Sequence, residues 1–297
     1  MINNEEFQKR LAFSRRSRFL QLITGPLKIF KYVFLTRLAF LIRKPIKGKA
    51  KLFFGRDIIG FFPEPVFSYL YLYGFSEESL TQSVSKYLKK GMTFLDVGSH
   101  VGYYSVLASK LVGEKGEVFA FEPTPSTYEL LYSNVKKFNN VSAFPLAAWS
   151  QTQDLNFLDY GPFYAGVNSY TEARMSAEYL KKAAPDKLRV KAVSLDDFCQ
   201  AFRLKPDFVK IDAESAELSV LKGMPTVIKN DKPIISIEIG DKKVHSKNGS
   251  LACIKFLEKL GYLAYDMEDG RTKRHKLRAS YYLVYDNLLF LPKRGAK

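Results

Sequence analysis

Between Ser76 and Lys293, apolar runs of five to seven residues alternate with longer stretches whose apolar residues recur every three or four positions. Runs such as MTFLD (92–96) and PIISIEI (233–239) are apolar on both faces of an extended chain, so both faces must be covered. Strands are expected at 92–96, 117–122, 141–146, 188–193, 207–212, 233–239 and 281–285. Helices are expected at 76–90, 103–112, 126–137, 196–203, 215–222 and 250–260, the first with Ser76 as N-cap and Gly91 just past its end. This alternation predicts an α/β fold, a doubly wound, mostly parallel seven-stranded sheet of Rossmann-like architecture. Residues 63–297 are assigned to that domain and residues 1–62 to an amino-terminal extension. Residues 159–186 break the rhythm with an aromatic, Gly- and Asn-containing stretch, and such a long insertion is a candidate substrate lid.

In an open parallel sheet ligands bind beyond the carboxyl ends of the strands. The first of those ends reads Asp96-Val97-Gly98-Ser99-His100-Val101-Gly102, with a helix after it. Glycines there allow a tight turn and a close backbone approach. The spacing is G-x-x-x-G rather than the G-x-G-x-x-G that cradles a pyrophosphate, which disfavours a dinucleotide. An acid before the turn suits a cationic ligand without phosphates, and S-adenosylmethionine is one. The second strand ends in Glu122, twenty residues after Gly102, where a carboxylate can accept hydrogen bonds from both hydroxyls of an adenosyl ribose.

The run DVGSHVGYYS (96–105) resembles the cofactor loop of class I methyltransferases, particularly the FkbM family. The resemblance continues in order through SLDDF (194–198), DFVKIDAESAELSVLKG (207–223), KPIISIEI (232–239) and NLLFLPK (287–293). It implies an S-adenosylmethionine pocket made of Asp96, Gly98, Ser99, His100, Gly102, Glu122, Ala147 and Ala148. The implied reaction is methyl transfer to a hydroxyl of a sugar, glycan or natural product. The family more often has Asn where His100 stands and Gly where Ser215 stands. His100 can still hydrogen-bond the cofactor, and Ser215 is expected to cap the helix that follows.

An alcohol is a poor nucleophile, so a base or a metal should assist its attack on the methyl group. The acids at the relevant strand ends are Asp212, Glu214 and Glu238. Asp212 is the first candidate for base, and Asp212 with Glu214 for a metal such as Mg2+; Glu217, one turn into a helix, is assigned a structural role. His245 reads as a solvated loop residue and His275, within RTKRHKLR, as part of a basic surface. Neither HxH nor HExxH spacing occurs, which speaks against zinc. Cys199 and Cys253 fall on expected helices as small buried hydrophobes.

The net charge of +16 belongs to the two ends. Residues 1–56 carry 14 Lys/Arg against 2 Asp/Glu, and residues 271–297 carry 8 against 1. From Pro26 an expected helix lines up Leu27, Phe30, Phe34, Leu38 and Leu41 on one stripe, with Lys28, Lys31 and Arg37 interspersed. Its longest uncharged run is too short to span a bilayer, but cations among bulky apolar groups suit an anionic membrane surface; the competing reading is a core cap or dimer face. Residues 43–51 read as a basic linker. No secretory signal is evident, so the expected location is cytoplasmic, peripheral on the inner face of a membrane if the stripe binds one. The alternatives weighed are an RNA or nucleoside methyltransferase using the basic ends, for which nucleic acid is the less favoured partner, and a non-catalytic membrane-associated scaffold.

Overall fold

The computed structural model describes residues 4–169, 185–241, 249–278, 280–282 and 286–293. Three helices open the chain, α1 (Asn4–Ser14), α2 (Arg18–Thr24) and α3 (Pro26–Ile42), followed by β1 (Ile46–Lys51), β2 (Asp57–Phe62) and α4 (Pro65–Tyr73). Next come α5 (Glu78–Tyr87), β3 (Thr93–Val97), α6 (Tyr103–Val112), β4 (Glu117–Phe121), α7 (Pro125–Val135), β5 (Val141–Phe144), β6 (Ala147–Ala148) and β7 (Gln153–Asp159). The carboxyl-terminal half holds β8 (Asp186–Val193), α8 (Leu195–Phe202), β9 (Phe208–Ile211), α9 (Glu217–Lys222), α10 (Pro225–Asn230), β10 (Ile234–Ile239), α11 (Ser250–Lys259), β11 (Tyr262–Glu268), β12 (Arg271–Arg274) and β13 (Asp286–Pro292).

The central sheet has eight strands in the order β12-β11-β13-β10-β9-β3-β4-β5. β10, β9, β3, β4 and β5 are parallel, while β13 inserts antiparallel between β10 and β11. The chain leaves β3 toward β4 on one side, and β9 leads to β10 on the other. A crevice therefore opens above the β3–β9 pair, where the strand order reverses. Successive residues alternate between two cores. Phe94, Val118 and Phe208 join the cluster on one face, and Leu95, Phe121 and Val209 the cluster on the other.

The doubly wound α/β architecture is as expected, with corrections in its parts. Segment 188–193 forms a strand, but β8 lies in a separate three-stranded sheet between β6 and β7. Its burial alternates through Leu188, Val190 and Ala192, the mark of a strand with one wet face rather than a central one. β11 and β12 were not anticipated, and RTKR in β12 has no apolar residue to signal it. The last strand among the described residues is β13; of the strand expected at 281–285, Tyr282 makes a single bridge to Asp241, and 283–285 lie outside the described residues. Ser76 does not cap α5. Its carbonyl accepts the Thr81 hydroxyl, and Glu77 takes the cap position with φ 37°. Ser215 is not a cap either: its φ is 78°, and its N–H donates to Glu217 at 3.1 Å. That conformation is one glycine adopts without cost.

The amino-terminal segment is packed, not loose. Phe7 of α1 sits edge-on to Phe53 and Phe75, with ring centroids 4.9 and 5.1 Å away, and joins the same cluster as Phe94 and Phe208. Within the expected linker, 46–51 is a strand paired with β2. Asn134 of α7 binds both backbone groups of Ile59 and the carbonyl of Val101, fastening the hairpin to the turn that follows β3. α3 begins at Pro26 as expected; its Ala39 is buried, while Leu27, Phe30, Phe34 and Leu41 are exposed. His275 corrects the basic-surface reading: it is buried, with Nδ1 2.7 Å from Asp266 and Nε2 2.7 Å from the Tyr281 hydroxyl. Cys199 and Cys253 are both buried, and burial pushes the Cys199 thiol up to about 12.

Candidate active site

A cleft of about 520 Å³ opens at the carboxyl ends of β3, β4, β9 and β10, within the size range of small-ligand sites. Gly98, Ser99 and His100 form one wall, Glu122 and Ala147–Trp149 a second, and Asp212–Glu214 with Glu238 a third. The β3 turn is wound by three residues in left-handed conformations, Gly98 (φ 70°), His100 (φ 49°) and Gly102 (φ 90°). A Cβ on Gly98 would lie 1.8 Å from the carbonyl oxygen of Asp212, so the turn nests directly against the end of β9. A Cβ on Gly102 would meet Leu131, so this glycine serves the packing of α6 on α7 and does not line the cleft.

Asp96 lies beneath the floor. It is fully buried, accepts the Ser105 hydroxyl at 2.5 Å and stands 3.4 Å from Lys210 Nζ. Lys210, on β9, also donates to the Gly98 carbonyl at 2.9 Å and lies 3.4 Å from Asp212. Burial by itself would lower the lysine pKa, but Asp212, Asp96 and Glu77 together hold it above the ordinary range. Lys210 thus ties the ends of β3 and β9 together from below and leaves Asp212 half-buried at the cleft surface.

Glu122 is buried at the end of β4, and burial raises its pKa. Its Oε2 accepts the His100 N–H at 3.1 Å and its Oε1 the Thr124 N–H at 3.0 Å. The Thr124 hydroxyl adds a third bond, which leaves the carboxylate about one of its four acceptor positions for a ligand. The His100 Nε2 lies 3.9 Å from Glu64, the residue whose carboxylate caps α4.

Asp212, Glu214 and Glu238, from two neighbouring strand ends, place one carboxylate oxygen each within 4.8 Å of one another. Glu217 faces back to the Ser215 N–H, the structural role expected of it. His245 lies outside the described residues.

Sequence reasoning missed Glu77, Lys210, Asn287 and Trp149. Glu77 stands at the exposed rim, yet its carboxylate reaches inward to Asn287 at 2.6 Å. Burial there, with the charge of Asp212 second, raises its pKa. Nothing in a glutamate at the start of a helix 135 residues from Asp212 signals that meeting. Lys210 was legible in principle, because a lysine inside an otherwise apolar buried strand needs acids for partners. Among the described residues, eight non-glycine positions have positive φ, and Glu77, His100 and Glu214 line this one cleft. Backbone strain therefore concentrates where ligand groups would be placed.

The model of the Methyltransferase FkbM domain matches residues 96–264. The hexuronic acid methyltransferase AglP of Haloferax volcanii is 29% identical over 137 residues, which is 46% of this chain and 51% of that protein. The chain thus spans about half the length of that relative. Among solved structures, an FkbM methyltransferase of Methylobacillus flagellatus KT aligns at 16% identity and TM-score 0.42, covering 67% of this chain and 43% of that one. The fibrillarin of Aeropyrum pernix, solved with bound S-adenosyl-L-methionine, aligns at 12% identity and TM-score 0.43, covering 71% and 74%.

Proposed function

This chain belongs to the FkbM methyltransferase family, and from that premise we propose that it transfers the methyl group of S-adenosylmethionine to a hydroxyl of a sugar, glycan or natural product. The observation that carries the reading is the convergence, in one cleft, of the Gly98–His100 turn and Glu122 on one side with Asp212, Glu214 and Glu238 on the other. The similarity to a hexuronic acid methyltransferase supports a saccharide acceptor.

The residues present fit the cofactor. The turn at Gly98 leaves backbone, not side chain, facing the cleft, and Glu122 offers an acceptor to a ribose hydroxyl. Cleft-facing carboxylates suit a ligand that carries an amino group and a sulfonium. The cofactor supplies a methyl group bound to positively charged sulfur. The protein's part is mainly positioning, since a displacement of this kind needs the acceptor oxygen in line with the breaking C–S bond. Asp212 takes the hydroxyl proton as the C–O bond forms. Lys210 holds that carboxylate toward the cleft. Glu77, whose pKa is raised, is the second group placed to receive a proton. Asp212 and Glu214, with Glu238, are the set that would hold Mg2+ where a metal assists, and chelation with EDTA tests that role.

In this reading residues 63–297 form the transferase domain and residues 1–62 an extension that completes one of its cores. The 159–186 insertion is the substrate lid; its residues 170–184 lie outside the described residues, and Ala165, Gly166 and Asn168 border the cleft. No helix among the described residues is long and apolar enough to cross a membrane. The proposed location is cytoplasmic, at the inner face of an anionic membrane.

The chain's single tryptophan, Trp149, lines the cleft and serves as the probe. S-adenosylhomocysteine should change its fluorescence with micromolar affinity, and NAD should leave it unchanged. Tritium from methyl-labelled S-adenosylmethionine should enter hexuronic acids or other saccharides. Asp212→Asn should lower that turnover at least a hundredfold while adenosyl affinity persists, as for loss of a general base. A chain that ignores S-adenosylhomocysteine, or methylates RNA and no saccharide or small hydroxyl compound, overturns the proposal.

A further inference from the structure

The amino-terminal helices leave an apolar face that no described residue covers. Phe19 and Ile23 of α2 are 71% and 60% exposed, and Leu27, Phe30 and Leu41 of α3 are 85%, 73% and 80% exposed. Exposed apolar groups of this size on two helices that touch mark a binding site on a water-soluble surface. The opposite side of α3 is not free to turn outward, because Ala39 is buried and Tyr32 and Leu35 pack against the core. The face is therefore held in place, and it is not the loose end of a frayed helix.

Its charge selects the occupant. Arg16, Arg18, Lys31, Arg37, Arg43 and Lys44 are exposed on and beside the two helices. The two acids of residues 1–56, Glu5 and Glu6, are engaged by Lys9 and Arg10 on α1. Bulky apolar side chains fringed by cations match a leaflet whose headgroups are negative and whose interior is apolar. A second copy of this chain would set the same cations against one another.

The face also leads to the cleft. Phe40, near the end of α3, packs on Phe163 with ring centroids 5.8 Å apart. Two residues on, Ala165 and Gly166 line the cleft, and Asn168 is fastened to Thr124 and to the Tyr160 N–H. Phe40 thus links α3 to the segment that borders the cleft.

We propose that α2 and α3 dock on an anionic lipid leaflet and that the acceptor is drawn from it, as the hydroxyl of a saccharide headgroup anchored there by a lipid. This rests on the cleft being the methyl-transfer site, and the test separates the two. The full chain should sediment with phosphatidylglycerol vesicles at least tenfold better than with phosphatidylcholine vesicles, with partial release at high salt. Phe30→Glu with Phe34→Glu should cut that binding at least tenfold and leave the Trp149 response to S-adenosylhomocysteine unchanged. With Cys199 and Cys253 buried, a fluorophore can be attached selectively through Phe163→Cys. Its emission should shift to the blue on phosphatidylglycerol vesicles, whereas a label at exposed Lys229 should not respond. Absence of vesicle binding overturns the docking, as does a dimer that the double variant dissolves, or binding of single-stranded RNA in place of vesicles. Docking with the 163 label still in water overturns the drawing of acceptor from the leaflet. Loss of the S-adenosylhomocysteine response in the unmodified chain would instead count against the methyl-transfer reading alone.

Discussion

Replacing Lys210 by Met removes the cation that joins the two strand ends under the cleft. In the native chain Nζ makes a 2.9 Å hydrogen bond to the Gly98 carbonyl and lies 3.4 Å from both Asp96 and Asp212. At an effective dielectric of about 20, each 3.4 Å pair contributes about 5 kcal/mol of attraction, against a desolvation cost of several kcal/mol per buried ion. The pair as a whole is therefore worth little, but breaking it strands the fully buried Asp96 with only the Ser105 hydroxyl and costs roughly 3–5 kcal/mol. For a chain of this size that loss corresponds to roughly 6–15 °C in Tm. Urea unfolding followed by circular dichroism, with Trp149 emission as a second probe, measures it. Adding Asp96→Asn removes the stranded charge while keeping an acceptor for Ser105, so the double variant should recover more than half of the loss. Lys210→Met within about 1 kcal/mol of the native chain, the low side of ordinary point mutations, would refute the reasoning, as would a double variant no more stable than the single one.

Gly98→Ala should abolish adenosyl binding and destabilise the fold, because its Cβ meets the Asp212 carbonyl at 1.8 Å in a conformation with φ 70°; a soluble variant with native affinity by calorimetry would contradict this. Glu122→Ala should weaken S-adenosylhomocysteine binding by about 1.5–3 kcal/mol, the range for hydrogen bonds to a charged group, and an unchanged Kd would remove Glu122 from the cofactor site. Burial and the charge of Asp212 raise the Glu77 pKa, so its ionised form is lost as the pH falls, earlier than for an ordinary glutamate. Glu77→Gln removes that titration, and the acid limb of the kcat/KM profile should move to lower pH with its plateau kept. A limb that does not move would show the two carboxylates to be uncoupled, and a lost plateau would make Glu77 the base.

Much of this protein is written in local pattern. Strands with apolar runs on both faces, helices with apolar residues every three or four positions and a glycine turn after the first strand are properties of a few consecutive residues. They were sufficient for the α/β class and for placing Gly98, Glu122, Asp212 and Glu238 at strand ends that share one cleft. Tertiary structure decided the rest. Asp96 belongs to the same turn as Gly98, yet Ser105 and Lys210 hold it beneath the floor. Segment 186–193 is as strand-like as any other, but its one wet face places it in the smaller sheet. His275 lies in a run of cations and is nevertheless buried, because Asp266 and Tyr281 arrive on either side of its ring. Glu77 meets Asn287 across 210 positions, and α3 shows which of its apolar residues face solvent only once the hairpin and α4 have covered the others. Periodicity states that a residue needs a partner or a cover; only the folded chain, bringing distant segments to one place, settles which partner it receives and which apolar face goes without.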